Sequence, residues 1–258
     1  MSNSNKHFIG KVLMEFPALP STNLFALELL SKSKPTEGTV ISVSYQTDGR
    51  GQIGSKWLGE PGKNIALSVI LYPFFLKAIQ QFSLSQAIAL AVRDWAQAIL
   101  GEPVHLKWPN DLYIGDRKAG GILIQNSIMG ASLQSSVVGI GVNVNQESFD
   151  ETLPNPTSLK IEARGLEFDL EMLKNLLFQH LEQRYLQLKT GQLEPLAVAY
   201  RECLYGLGVS KLFQRQDGTT FRGIITGTTP AGLLCILDED GKEATFDLKA
   251  VRFVLEDG

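Results

Sequence analysis

The sequence predicts an α+β protein: a large domain mixing helices with short sheet strands, then a small all-β unit. Three patterns carry this expectation. Residues 84–100 and 169–191 show apolar positions at helical spacing, and Val104 to Lys107 and Val137 to Asn145 alternate with period two. Beyond Gly206 only short apolar runs remain, broken at Asp217-Gly218, Pro230-Ala231-Gly232 and 238–241, the spacing of a small barrel. The boundary is expected near residue 205, giving units 1–204 and 205–258; a chain of 258 residues is long enough for a large plus a small domain.

Taken in order, Ser21-Thr22-Asn23 stands before Leu24, Phe25, Leu27 and Leu30 as the cap of a short helix. Val40 to Tyr45 reads as a strand. Leu84, Ile88, Ala91, Val92, Trp95 and Ile99 form one stripe of a helix stopped by Gly101 and Pro103. Val104, Leu106 and Trp108 alternate with His105 and Lys107, and Pro109 ends that strand. Leu112-Tyr113-Ile114 is the next strand, Gly115-Asp116 a hairpin turn, and Ile122-Leu123-Ile124 resumes the apolar run. Lys118 and Asp111 thereby return to one end of a sheet. Asp169 caps a long helix running to Gly191, and Pro195 opens a last helix ending near Leu204. The carboxy-terminal strands are expected at Val209–Phe213, Thr220–Thr226, Leu233–Leu237, Ala244–Asp247 and Val251–Leu255.

Composition narrows the function. A net charge of -3 provides no basic field for non-specific nucleic-acid binding, so no DNA partner is expected. The longest apolar run, Ile65 to Leu76, contains Pro73 and is too short to span a bilayer, and the first residues carry no hydrophobic signal region. No membrane partner is expected. Cys203 and Cys235 are solitary, which suits the reducing cytoplasm; His7, His105 and His180 are scattered, so no protein-built metal site is expected.

Three constellations carry chemistry. Gly49-Arg50-Gly51-Gln52-Ile53-Gly54 matches a dinucleotide fingerprint but lacks its context: Gly59, Pro61 and Gly62 break any following helix, and Lys63 to Gln81 holds no acidic residue. What remains is a glycine loop with Arg50 and Lys56, ending at Trp57 and suited to closing over a carboxylate or phosphate. The second is Lys107-Trp108-Pro109-Asn110-Asp111 with Lys118-Ala119-Gly120-Gly121. In the third, Val138, Ile140, Val142 and Val144 share one strand face while Gly139, Gly141, Asn143 and Asn145 share the other, bare enough for a ligand to lie against. Ser21-Thr22-Asn23 and Gln46 are candidates to hold a small polar head group.

Together STN at 21–23, YQTDGRGQIGSKW at 45–57, KWPNDLY at 107–113, RKAGGIL at 117–123 and GIGVNVN at 139–145 resemble the biotin protein ligases, in order and spacing across essentially the whole chain. The resemblance implies a mixed-sheet catalytic domain of the biotin/lipoate ligase type with an SH3-like carboxy-terminal barrel. It implies ATP and biotin as substrates, with Mg2+, giving biotinyl-5'-AMP, then transfer to a lysine of the biotin carboxyl carrier protein of acetyl-CoA carboxylase. By matching positions, Ser21, Thr22 and Gln46 would hydrogen-bond the ureido ring, with Asn23 beside them as a substrate-binding residue; Arg50, Gly51 and Gln52 would cover the carboxylate and adenylate. Lys118 would contact the activated carboxyl and Asp111 would orient or deprotonate the incoming amine. Gly49, Trp57 and Asn143 fall on the nucleotide side, with Trp57 and Trp108 as packing residues rather than adenine stackers. Lys107 is left as a supporting charge. Lipoate or octanoate transfer, and a non-catalytic biotin-binding regulator, are the alternatives.

The chain departs from the family in its loop, where GRGRxGR is common: Gln52 and Ser55 replace two arginines, so the acyl-adenylate is expected to be held less firmly. It also starts almost directly at the catalytic domain, without the DNA-binding domain many relatives carry, and is read as the short form.

Overall fold

The computed structural model describes residues 7–52 and 54–254; Ile53 of the glycine loop and Leu255 of the last expected strand lie outside the described residues. The chain runs β1 (Leu13–Leu19), α1 (Thr22–Lys32), β2 (Val40–Gln46), β3 (Ile65–Leu71), α2 (Gln81–Leu100), β4 (Val104–Lys107), β5 (Asp111–Ile114), β6 (Arg117–Met129), β7 (Ser132–Val142), α3 (Leu159–Glu162), α4 (Leu170–Lys189) and α5 (Leu193–Glu202). Seven strands make one sheet in the order β1-β2-β3-β7-β6-β5-β4. β1 and β2 are parallel and the other neighbours antiparallel, so the sheet is mixed.

The two sheet faces have different tasks. Ile65, Leu67 and Val69 of β3 lie opposite Val142, Ile140 and Val138 of β7, and this face buries against α2 and α4 in the main core. On the other face Ile41, Ile70 and Val137 pack under Ala26 of α1. Farther along the same face come Ser68, Gly139 and Gly141, which give a helix nothing apolar to bury. The uncovered stretch is the floor of the site.

Most expected elements appear, and the differences have local causes. β1 escaped the sequence reading because it is an edge strand with Pro17 inside it, tolerable where one side has no partner to bond. Ser21 occupies the cap position of α1 with extended backbone, but its side chain makes no capping bond. Asp169 does cap, accepting from the amides of Glu171 (2.8 Å) and Met172 (3.1 Å). α5 starts at Leu193, two residues before Pro195, and β7 ends at Val142, so Asn143 and Asn145 follow the strand rather than belong to it.

Five further strands, β8 (Ser210–Arg215), β9 (Thr220–Thr228), β10 (Leu234–Asp238), β11 (Glu243–Phe246) and β12 (Val251–Phe253), form an antiparallel sheet in the order β11-β10-β9-β8-β12. Its edges β11 and β12 are not paired with each other among the described residues, so the barrel stays open along that seam. The sheet is fastened to the larger one at the KWPND segment. Trp108 donates its indole N–H to the Gly232 carbonyl at 2.9 Å, and Leu106 exchanges backbone bonds with Cys203 and Tyr205. Lys107 Nζ stands 4.7 Å from the Tyr113 ring and 4.8 Å from the Phe253 ring, and bonds the Tyr113 hydroxyl at 3.0 Å. Burial lowers the Lys107 pKa. Among the described residues no helix is long and apolar enough to cross a membrane.

Candidate active site

One cavity of about 260 Å3 lies over the uncovered floor. It brings together Ser21, Thr22, Asn23, Gln46, Arg50, Gly51, Gln52, Trp57, Asp111 and Lys118, ten of the expected residues. Gly49 is not in this wall. It is buried beside Trp57 and borders a neighbouring cavity with Asp48 and Glu60. Asn143 is also outside the wall: it is buried, donates to the Thr157 carbonyl at 2.9 Å, and leaves its Oδ1 without a partner. Asn145 is bonded both ways to the Phe168 backbone, a structural role.

The head of the cavity is a buried polar cluster. Ser21, Thr22 and Asn23 open α1 and are each under 5% exposed. Gln46 closes β2 and accepts from the Thr22 amide at 2.8 Å. Asn23 donates to the Leu123 carbonyl at 3.1 Å and to Gln125 Oε1 at 3.0 Å. Gly139 is what lets α1 come this close. A Cβ there would collide with the Asn23 amide, whose carbon would stand at 2.9 Å. Gly141 does the same for Trp57, whose ring would be 2.6 Å from an added Cβ. Asn23 and the Trp57 ring therefore come down onto the bare strand face at its two glycines, which makes Trp57 a wall of the cavity.

The other end is charged. Lys118 Nζ and Asp111 Oδ1 are 2.6 Å apart. A bulge produces this pair. Asp111 faces Gly121 and Leu112 faces Gly120, but the register then shifts and Tyr113 faces Lys118. In unbroken register Ala119 would face Tyr113 and Lys118 would point to the opposite, apolar face; the extra residue turns Lys118 onto the face of Asp111. Gly121 leaves the space, since an added Cβ would be 3.6 Å from Asp111 Oδ1 and 3.8 Å from Lys118 Nζ. Lys107 is the cross-strand partner of Asp111.

Over the charged end lies a hairpin. Arg50 and Lys56 form a bridge, Gly51 donates to Ser55 at 2.9 Å, and Trp57 donates to Gly49 at 2.9 Å. Arg50 is exposed, and among the described residues its ion pair is a loose 3.9 Å contact to Asp48.

The structure adds residues the sequence did not single out. Ser68, wholly buried on β3, bonds into the Thr22 and Asn23 cluster. Leu248 and Lys249, in the turn between β11 and β12, also line the cavity, and Lys249 holds a left-handed backbone at φ +67°. Among the described residues no group of three His, Cys, Asp or Glu could hold a metal. Among the described residues Asp111 is the one carboxylate in the cavity wall and is engaged by Lys118, so a Mg2+ ion here fits only as a companion of nucleotide phosphates.

The polar head, the glycine floor and the charged end make a slot that can hold a molecule polar at both ends. Comparisons with known proteins place the chain in a family. The family model for the biotin/lipoate A/B protein ligase family matches residues 15–143. The chain is 29% identical over 236 residues to the bifunctional ligase/repressor BirA of Bacillus spizizenii, covering 90% of this chain and 71% of that protein. It is 29% identical to the biotin--[acetyl-CoA-carboxylase] ligase of Paracoccus denitrificans, covering 86% and 93%. In fold it resembles the biotin protein ligase of Aquifex aeolicus solved in complex with biotin and ATP, with TM-score 0.77, 24% identity, and 95% and 100% of the two chains covered. With half its length matched by the family model and its sheet built in the same way, the chain belongs to the biotin/lipoate A/B protein ligase family.

Proposed function

We propose that this protein is a biotin–protein ligase that forms biotinyl-5'-AMP from biotin and ATP and passes the biotinyl group to a lysine of a biotin carboxyl carrier protein. The observation that carries the reading is the two-ended slot: buried amide and hydroxyl groups at one end, Lys118 with Asp111 at the other. Gly139, under Asn23, and Gly121, under Lys118, are two residues along and one strand across, about 8 Å by ordinary strand spacings. That suits a head group and a carboxylate joined by a short acyl chain.

In the first half-reaction a biotin carboxylate oxygen attacks the α-phosphorus of ATP and pyrophosphate leaves. Lys118 and Arg50 would offset charge on the carboxylate and phosphate oxygens, and Mg2+ would travel with the phosphates. In the second, the carrier lysine amine attacks the anhydride carbonyl, AMP leaves, and the amine proton passes to a base. Asp111 fits that role as the carboxylate in the cavity wall beside Lys118, whose Nζ lies 2.6 Å from its Oδ1. The hairpin at 49–57 would shield the anhydride from water. Gly49, Trp57 and Asn143 would border the nucleotide. We assign residues 1–204 to the catalytic unit and 205–258 to the carboxy-terminal unit, place the protein in the cytoplasm on its two free cysteines, and include no DNA partner.

The test is incubation with ATP, Mg2+, labelled biotin and an apo carrier domain, beside Lys118→Ala. Label on the carrier lysine is expected, with at least about a hundredfold loss in the variant. Label transferred from lipoate and not from biotin would overturn the assignment.

A further inference from the structure

The buried cluster at the head of the cavity has a direction that follows from counting hydrogens. Ser68 Oγ lies 2.7 Å from Thr22 Oγ1 and 2.6 Å from Asn23 Oδ1, and a hydroxyl has a single hydrogen to give. Asn23 is fixed from its other side. Its Nδ2 faces the Leu123 carbonyl, which only accepts, so its Oδ1 faces Ser68 and must receive. Ser68 therefore spends its hydrogen on Asn23. The 2.7 Å contact to Thr22 then closes only if the Thr22 hydrogen points to Ser68, since the alternative acceptor, Gln46 Oε1, is farther away at 3.3 Å and already takes the Thr22 amide.

From this we propose that Ser68 is a positioning residue for head-group recognition. Through Asn23 and Ser68, the Leu123 carbonyl fixes the Thr22 hydroxyl as an acceptor toward the cavity, so the site selects a head group that presents an N–H there. Ser68 touches no substrate in this scheme. The relay runs from the backbone of β6 through α1 and β3, all inside the sheet core, so it is set before any ligand arrives. Gln46, whose oxygen is held by the Thr22 amide, is left with its NH2 as the complementary donor. The inference rests on the biotin reading, whose ureido ring carries two N–H groups and one carbonyl. It adds why a cyclic head group without N–H, such as a dithiolane, is refused: it would leave a buried acceptor unpaired.

The experiment measures biotin-dependent pyrophosphate release with biotin and with two analogues in which one or the other ureido N–H is replaced by oxygen. The wild type is expected to show a KM raised about tenfold or more for the analogue lacking the N–H that faces Thr22. In Ser68→Ala the Thr22 hydrogen is released and can turn into the cavity. There the KM for biotin should rise about tenfold, while kcat and the KM for ATP stay within about twofold. The analogue-to-biotin ratio should fall toward one, a change that mere loosening of the fold would not produce. Ser68→Thr, which restores a hydroxyl, should restore the ratio. If Ser68→Ala does not fold, Ser68→Gly, which also removes the hydroxyl, is read in the same way. A Ser68→Ala enzyme that keeps both its biotin KM and its analogue ratio overturns the proposal. A wild type that activates lipoate instead of biotin overturns the ligase assignment itself, and the two failures are distinct.

Discussion

At the scale of single residues, the site is made as much by missing side chains as by present ones. Gly139 and Gly141 lie where Asn23 and the Trp57 ring must come down on the sheet. Gly139→Ala should push Asn23 off its Leu123 and Gln125 partners, raising the biotin KM more than about tenfold and costing about 1–3 kcal/mol of stability. Titration of pyrophosphate release against biotin, beside urea unfolding, reads both; an unchanged KM would refute the close-approach argument. These glycines were legible because a two-residue alternation with valine and isoleucine marks them as one face. Thr22, Asp111 and Lys118 were legible through their motifs. Ser68 was not, since a lone serine inside Ile65 to Leu71 is indistinguishable in sequence from a satisfied core hydroxyl. Lys249 was not legible either. It lies more than a hundred positions from the nearest motif and reaches the cavity only through the packing of the second sheet on the first.

At the scale of elements, the bulge and the glycine hairpin decide where charge goes. Without the bulge between β5 and β6 the Lys118 ammonium would enter the layer of Leu112 and Ile122, an unpaired charge in apolar surroundings. The hairpin at 49–57 brings Arg50 and Lys56 to the cavity but only an amide at Gln52. Gln52→Arg should slow escape of biotinyl-5'-AMP several-fold by adding a cation beside the phosphate. Dissociation of the labelled adenylate, measured before and after the substitution, decides the matter: equal rates would overturn the expectation that Gln52 weakens retention. Strand and helix identities were largely readable from periodicity. The bulge was not, because a register shift depends on what the partner strand presents and leaves no mark in the composition of β6.

At the scale of the whole molecule, two histidines contribute to the first loss of stability in acid. Burial holds His105, on β4, and His180, on α4, below the usual imidazole value of 6.5. Each is thus neutral in the fold but takes up a proton on unfolding once the pH drops below that value. Their contribution is complete above about pH 6.5 and is lost as pH falls through the lowered values, at no more than about 1.4 kcal/mol per pH unit for each. Thermal unfolding midpoints followed from pH 7.5 downward should begin to fall near pH 6.5, and a His105→Gln, His180→Gln double variant should flatten that first decline. A decline identical in the double variant would assign it to other groups. The two sheets meet elsewhere, at Lys107 and Trp108, whose side chains are held by Tyr113, Phe253 and the Gly232 carbonyl. Asp111 follows four positions later in the same segment and is the cross-strand partner of Lys107. Any shift of the carboxy-terminal sheet is therefore passed through a few peptide bonds to the segment that carries Asp111 into the cavity wall.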